Sequence, residues 1–472
     1  MTMKKIFQTL FPYALYLHIF QLERYDISRA LPWVFSHFWQ RTTQNKKPLV
    51  YTDKAKTIGK ISTALAVLGL SIGTIFFNIF VGMFVVFFVL VQPYILIILS
   101  LYILKPYEIW NRARTIRTTR QKIRSFKKVR VIGIAGSYGK TSVKDILYHL
   151  LSAKYKVLKT PLSYNTIFGI AQVVDLELDD SYDFFICEMG EFQLGDIVEM
   201  CEMVLPSYGI ITGINDQHLE RFKKIENTVS TVFELFDYLK SNNQKTVVNF
   251  ANDYIKNEVG KREVANQVTS YGISGSDASA LHVSFTDGGT VFELDIKNSE
   301  QNITTPLLGN AQVNNILGAS LVAYELGVPL ETIAEKLKTV PSVPHRFEQT
   351  LLANGYLLVD NSYSSNSNSF REALLILKGL KRKNKILITP GLVELGEKSN
   401  SIHLELGRLT ADCTKVVLVG NSERTRALAE GAGPEKVVYL DEIKNLWGTI
   451  SQFNFDPMDT VALLENDLPD NY

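Results

Sequence analysis

The segment Gly136-Ser-Tyr-Gly139-Lys140-Thr141-Ser142 sets two glycines, a lysine and a Thr-Ser pair within seven residues. Such a turn suits a polyphosphate. Glycines let backbone N–H groups approach an anion, a lysine at a helix start reaches its outer oxygens, and the next hydroxyl is a hard ligand for Mg2+. The long form of this motif needs glycine at 134, where isoleucine stands, so the pattern is the shorter G-x-x-G-K-T/S. Glu188, Asn215 and His218 add an acid, an amide and an imidazole, and an acid and an imidazole near such a loop are suitable Mg2+ ligands. Taken alone, Glu188 is equally a helix cap and His218 an ordinary loop histidine.

The elements around these residues must form an α/β domain. Val129–Ala135 reads as a buried strand and Thr141–Ala153 as a helix, so the turn lies between a strand and a helix N-terminus. Further strands are expected at Tyr182–Glu188, Tyr208–Ile214 and Lys245–Phe250, with helices around 193–204 and 226–240. Alternation of this kind implies a mainly parallel sheet, whose chemistry collects at the C-terminal ends of its strands. Glu188 and Asn215 fall at two of those ends. Residues 274–305 alternate as a small sheet at the domain edge. Pro341-Ser-Val-Pro344 reads as a hinge. Beyond it, strands at Tyr356–Asp360, Lys385–Thr389, Lys415–Val419, Lys436–Leu440 and Thr460–Leu464 alternate with helices, which implies a second, Rossmann-like unit. The expected division is 1–128, 129–340 and 341–472.

The front of the chain differs. Over 472 residues, 50 Lys+Arg nearly balance 48 Asp+Glu, which excludes a generally polybasic nucleic-acid binder. Three scattered cysteines exclude a disulfide framework or a structural zinc site. From Ile61 to Leu104, however, 44 residues carry no charge. That is enough for two spans of about 20 residues turning near Asn78 and Gly82. Ten Lys/Arg from Lys105 to Arg130 and a basic segment before Lys60 place both ends in the cytoplasm. The expectation is a multi-pass protein of the cytoplasmic membrane, its basic flank on lipid headgroups and its catalytic domains in the cytoplasm. Ile6–Leu22, apolar but broken by Pro12, reads as an interfacial or re-entrant segment.

Eight segments then appear in order: GIAGSYGKTS (133–142), SYNTIFGI (163–170), CEMGEFQLGDI (187–197), ITGINDQHLERF (211–222), NAQVNNILGA (310–319), PHRFE (344–348), VDNSYSSNSNS (359–369) and LVELGEKSNSIHLELG (392–407). This series resembles the Mur ligases, ATP-dependent amide-bond ligases of cell-wall peptide assembly, and most of all their D-alanyl-D-alanine-adding branch. The resemblance implies that Gly136, Ser137, Gly139, Lys140, Thr141 and Ser142 bind ATP phosphates. It implies that Thr141, Glu188 and His218 hold Mg2+, and that Asn165 and Thr166 lie near the acyl substrate. Asn315 would contact adenine, and Arg346 and Asp360 would bind ATP from beyond the hinge. The family reaction phosphorylates a carboxylate and lets an amine displace the phosphate, with Lys140, Glu188, His218 and Arg346 in the catalytic set. The substrates implied are a cell-wall precursor and an amino acid or dipeptide.

The departures are specific. Ala135 replaces a usual threonine, and Val232 stands where the family carries a carbamylated lysine that supports a second Mg2+. Leu464-Glu465-Asn466-Asp467 replaces a Lys-Gly-Ser-Arg run, and residues 1–128 do not resemble the family's UDP-binding domain. A membrane-anchored ATPase and an inactive ligase-like scaffold are the two alternatives.

Overall fold

The computed structural model describes residues 12–36, 49–76, 78–162, 164–191, 193–215, 224–262, 264, 268–272, 274–342, 344–362, 365–393, 395, 398–441 and 443–466. Its contacts divide the chain into two units, Met1–Arg114 and Thr115–Leu468.

The first unit is helical. Helices Tyr13–Leu22, Ile27–Ser36, Asp53–Phe76 and Ile79–Val91 are followed by Tyr94–Ser125, which runs past the unit boundary. Tyr16, Leu17, Phe20, Ala30, Val34, Ile58, Ile97 and Leu101 form its core. Small hydroxyls join the helices: Tyr13 Oη donates to Ser62 Oγ at 3.0 Å, and Ser62 and Ser100 Oγ atoms lie 3.0 Å apart. The described part of the 6–22 segment is therefore a core helix, and residues 6–11 lie outside the described set.

The expected pair of membrane spans is not what the chain builds. The turn does fall at Asn78, whose Oδ1 accepts from the Val81 N–H at 2.9 Å. Gly73 and Gly82 let the two helices touch, since a Cβ on Gly73 would lie 2.6 Å from Gly82 Cα. The second apolar run, however, breaks at Gln92-Pro93, where proline offers no N–H to the preceding turn. The 13-residue helix Ile79–Val91 is about 20 Å long, short of the roughly 30 Å hydrocarbon core. Helix Tyr94–Ser125 carries charge from Lys105 onward. Among the described residues one helix, Asp53–Phe76, is long and apolar enough to cross a membrane, a test that core helices also pass. Part of the basic flank is used inside the second unit. Lys122 Nζ donates to Val174 O at 2.7 Å and Asp175 O at 2.9 Å, and Lys128 pairs with Asp183. The multi-pass membrane placement does not stand.

The second unit holds two sheets. Strands β1 (Arg130–Ala135), β2 (Val157–Lys159), β3 (Phe184–Glu188), β4 (Tyr208–Ile211), β5 (Lys245–Asn249), β6 (Thr269–Tyr271), β7 (Ala278–Thr286), β8 (Gly289–Ile296) and β9 (Ser299–Thr305) lie in the order β2-β3-β1-β4-β5-β6-β7-β8-β9. The first six are parallel, because their Val/Ile/Phe runs are covered by helices on both faces. The edge sheet expected at 274–305 is the antiparallel meander β7–β9, continuous with the central sheet. Register sets Glu188 beside Ile134 and Ala135 beside Ile211, so the ends of β3 and β4 flank the glycine turn. The strand order reverses at β1, which puts the crevice there.

Strands β10 (Glu348–Leu351), β11 (Leu357–Asn361), β12 (Asn384–Thr389), β13 (Lys415–Val419), β14 (Val437–Leu440) and β15 (Thr460–Glu465) form the second sheet, ordered β10-β11-β15-β12-β13-β14 and parallel apart from β10. Each strand expected beyond the hinge is present. Glu465, where the family has a small residue, is fully buried at the end of β15. It accepts from Asn361 Nδ2 at 2.8 Å and from Ser365 Oγ. Burial pushes its carboxyl up to about 7, against the pull of these two donors. A raised carboxyl contributes stability that is whole below the unfolded value and is lost as pH rises through the folded one. Between pH 5 and 8 the wild type should lose about 2–3 kcal/mol through this group. Glu465→Gln should flatten that slope in urea unfolding, and an unchanged slope would contradict the assignment.

Candidate active site

The turn after β1 has the backbone its glycines predict. Gly136 has φ +140° and Gly139 has φ +84°, both outside the usual range of residues with a Cβ. Space requires glycine too. A Cβ on Gly136 would overlap Thr212 Oγ1, and one on Gly139 would lie 2.8 Å from Asn315 Oδ1. Gly139 is the N-cap of helix Lys140–Leu151, which has no side-chain cap, so the first-turn amides are left for an anion. The loop amides differ from expectation. Ser137 and Tyr138 N–H groups donate to Gly213 O at 2.6 and 3.4 Å, because β4 brings that carbonyl under the turn. Among the described residues the buried Ser137 Oγ has no hydrogen-bond partner, and Tyr138 lies over Gly213 with its hydroxyl accepting from Asn252 Nδ2 at 3.1 Å.

Two lysine–glutamate pairs organise the floor. Lys140 Nζ lies 3.0 and 3.2 Å from the two Glu191 carboxylate oxygens and also donates to Gly136 O. One helical turn on, Lys144 Nζ lies 3.0 Å from Glu188 Oε2 and donates to Leu162 O. Thr141 Oγ1 donates to the same Glu188 oxygen at 2.9 Å, and Asn165 Nδ2 donates to the other at 3.2 Å. Lys144 is 0% and Glu188 1% exposed, so both charges exist only as a pair. Burial raises the Glu191 carboxyl above its ordinary value, although Lys140 beside it pulls the other way. Lys144 and Glu191 escaped the sequence reading. The i+4 spacing from Lys140 and the position three beyond Glu188 were the available signals.

The other expected residues separate. Ser142 is buried in the first helical turn. Thr166 caps helix Ile167–Leu176, accepting from the Gly169 N–H at 3.2 Å. Asn315 lies on helix Asn310–Glu325 and, with Tyr138, Asn249, Asn314 and Glu372, lines a cavity of about 260 Å³. Glu372 comes from the second sheet's helix Ser367–Gly379, and its Oε1 accepts from the Ala311 N–H at 3.0 Å. Arg346 is exposed. Asp360 accepts from the Ser362 N–H at 3.0 Å and lies 2.8 Å from His345 Nδ1. His218 lies outside the described residues. Val232 is fully buried in the core on helix Ile225–Ser241, so no charged group stands there. His403 is buried and held by Leu392 N–H and Ser399 O, which gives it a positioning role; burial lowers its pKa.

Residues 134–323 match the Mur ligase middle domain. A UDP-N-acetylmuramoyl-tripeptide--D-alanyl-D-alanine ligase from Rickettsia prowazekii is 30% identical over 303 residues, 63% of this chain and 67% of that one. The chain belongs to the Mur ligase family. It is an ATP-dependent ligase that forms an amide bond on a cell-wall precursor. The ligase of the same name from Escherichia coli K12 is 27% identical over 331 residues, 69% of this chain and 72% of the relative. The MurF ligase of Thermotoga maritima, solved with ADP, shares the fold with a TM-score of 0.63 at 23% identity, over 75% of this chain and 80% of that one.

The residues fit a Mg2+–nucleotide. Thr141 and Glu188 are hard oxygen donors side by side. The bare helix N-terminus, the orphaned Ser137 hydroxyl and the glycine cradle suit phosphate oxygens. Because Lys144 and Glu188 are a buried pair, Lys144→Met should destabilise the protein by about 3–5 kcal/mol by stranding a buried carboxylate. Adding Glu188→Leu should recover part of that loss, and denaturation of the four proteins in the cycle would measure the coupling.

Proposed function

We propose that this ligase joins D-alanyl-D-alanine to UDP-N-acetylmuramoyl-tripeptide, with Lys140 as the cation that lets two anions meet. The carboxylate of the tripeptide attacks the γ-phosphorus of ATP, which releases ADP and leaves an acyl phosphate. The dipeptide amine then attacks the acyl carbon. The C–O bond breaks, phosphate departs with one former carboxylate oxygen, and the amine loses a proton. The observation that carries this reading is the meeting of Lys140, Thr141, Glu188 and Asn165 at the ends of β1 and β3. The names of the relatives supply the substrates.

Each side chain has a task in this proposal. Lys140 and the first-turn amides of helix Lys140–Leu151 hold phosphate oxygens where negative charge develops. Thr141, Glu188 and His218 would hold Mg2+, which neutralises phosphate charge. Asn165, fixed by Glu188, faces the acyl substrate, and Asn315 the base. Arg346 and Asp360 would reach ATP from the second sheet, whose helix Ser367–Gly379 already contributes Glu372 to the cavity. A motor ATPase working on a membrane hairpin loses its lever with the two-span expectation.

Purified protein given ATP, Mg2+, UDP-N-acetylmuramoyl-tripeptide and D-alanyl-D-alanine should yield one ADP per product. The product should be heavier than the tripeptide by the dipeptide less one water. Lys140→Ala should cut this rate by roughly 100-fold or more. ADP release without the mass gain, or equal rates for the variant, would refute the reading.

A further inference from the structure

Lys140 has its ammonium fully engaged within the protein. An ammonium carries three N–H donors. Lys140 directs them at Gly136 O and at the two oxygens of Glu191, 3.2 and 3.0 Å away. Glu191 stands in the loop after β3, and the reaction above gives it no task. The two side chains are only 12% and 2% exposed, so water screens their attraction weakly. A lysine that serves the β- and γ-phosphate oxygens of a nucleotide has to surrender some of these contacts. The carboxylate then stays behind, and a buried carboxylate without its positive partner is costly. Lys144 cannot take over, because its ammonium is committed to Glu188 and Leu162 O.

We propose that Glu191 competes with the nucleotide for Lys140, weakening ADP more than ATP, and so favours release of ADP once the γ-phosphate has been transferred. The inference rests on the nucleotide reading of this site. ATP offers the ammonium oxygens of two phosphates within its reach, and ADP those of one. A triphosphate therefore outmatches the carboxylate, and the carboxylate regains the lysine when the diphosphate is left. Glu191 is in this sense a positioning residue, which acts on the nucleotide only through Lys140. The rival role is a prop that aims Lys140 at the phosphates and shares its ammonium with them. The two roles predict opposite signs, because removing a competitor strengthens nucleotide binding and removing a prop weakens it.

Calorimetric titration of the full chain with ADP and with a non-hydrolysable ATP analogue, both in Mg2+, separates the two. Glu191→Gln, whose amide has no charge to hold the lysine, should bind ADP about tenfold or more tighter than wild type. Its gain for the ATP analogue should be smaller, and ADP should inhibit its ligation reaction at correspondingly lower concentration. Glu191→Asp, which draws the charge back by one methylene, carries the test if the Gln variant does not fold. It should bind ADP tighter than wild type by a smaller factor. Weaker or unchanged ADP binding by the variant that folds, or an equal gain for both nucleotides, overturns the proposal and leaves the nucleotide reading intact. Absence of nucleotide binding by wild type would instead overturn both.

Discussion

Charge balance in a nearly dry floor is the constraint on which the active end of this protein depends. Lys140 faces Glu191 and Lys144 faces Glu188, with little water to screen either pair. In such a place an ion pair adds little net stability, but removal of one partner is expensive. The four residues therefore act as one unit. Lys140 and Lys144 come from the same face of one helix, one turn apart, Glu188 from the end of β3 and Glu191 from the loop after it. Parallel pairing of β3 with β1 brings the two sets together. Thr141 and Asn165 complete the unit by giving Glu188 its remaining hydrogen bonds.

That balance explains how a phosphate-binding turn can be built from so few glycines. Gly136 and Gly139 occupy positions that no side chain fits, while Gly213 lets Tyr138 close the turn from beneath. The crevice above is shared. Asn315 presses on Gly139 from helix Asn310–Glu325, and the second sheet reaches the same helix through Glu372, whose carboxylate accepts from the N-terminal amide of Ala311. A carboxylate at a helix N-terminus is favoured by the helix dipole. The contact thus couples the second sheet to the wall of the cavity, beside the apolar packing of Leu308 and Phe285 on that sheet's core.

Much of the fold was legible because the parallel strands are covered on both faces. Runs such as Val-Ile-Gly-Ile-Ala at β1 and Lys-Val-Val-Leu-Val at β13 have no other comfortable setting. The turn at Asn78 was legible for a local reason as well, an Asn that caps the next helix. What misled was length. Forty-four uncharged residues look like two spans, yet Gln92-Pro93 ends one helix after 13 residues and begins another. Uncharged length says how far a chain could reach, while a proline and its neighbours decide where the helix stops.

The sequence by itself determined the glycine turn, the alternation of strands and helices around it and Glu188 at a strand end, since each follows from local conformation or spacing, and its motifs in order resemble the Mur ligases. Only tertiary structure decided that Lys144 is a buried partner of Glu188, that Glu191 holds Lys140, and that Thr166 is a helix cap. Spacing on one helix cannot reveal which charges a neighbouring strand will bury beside it. Desolvation is a property of the assembled site, and it turns two unremarked residues into the ones that govern its charge.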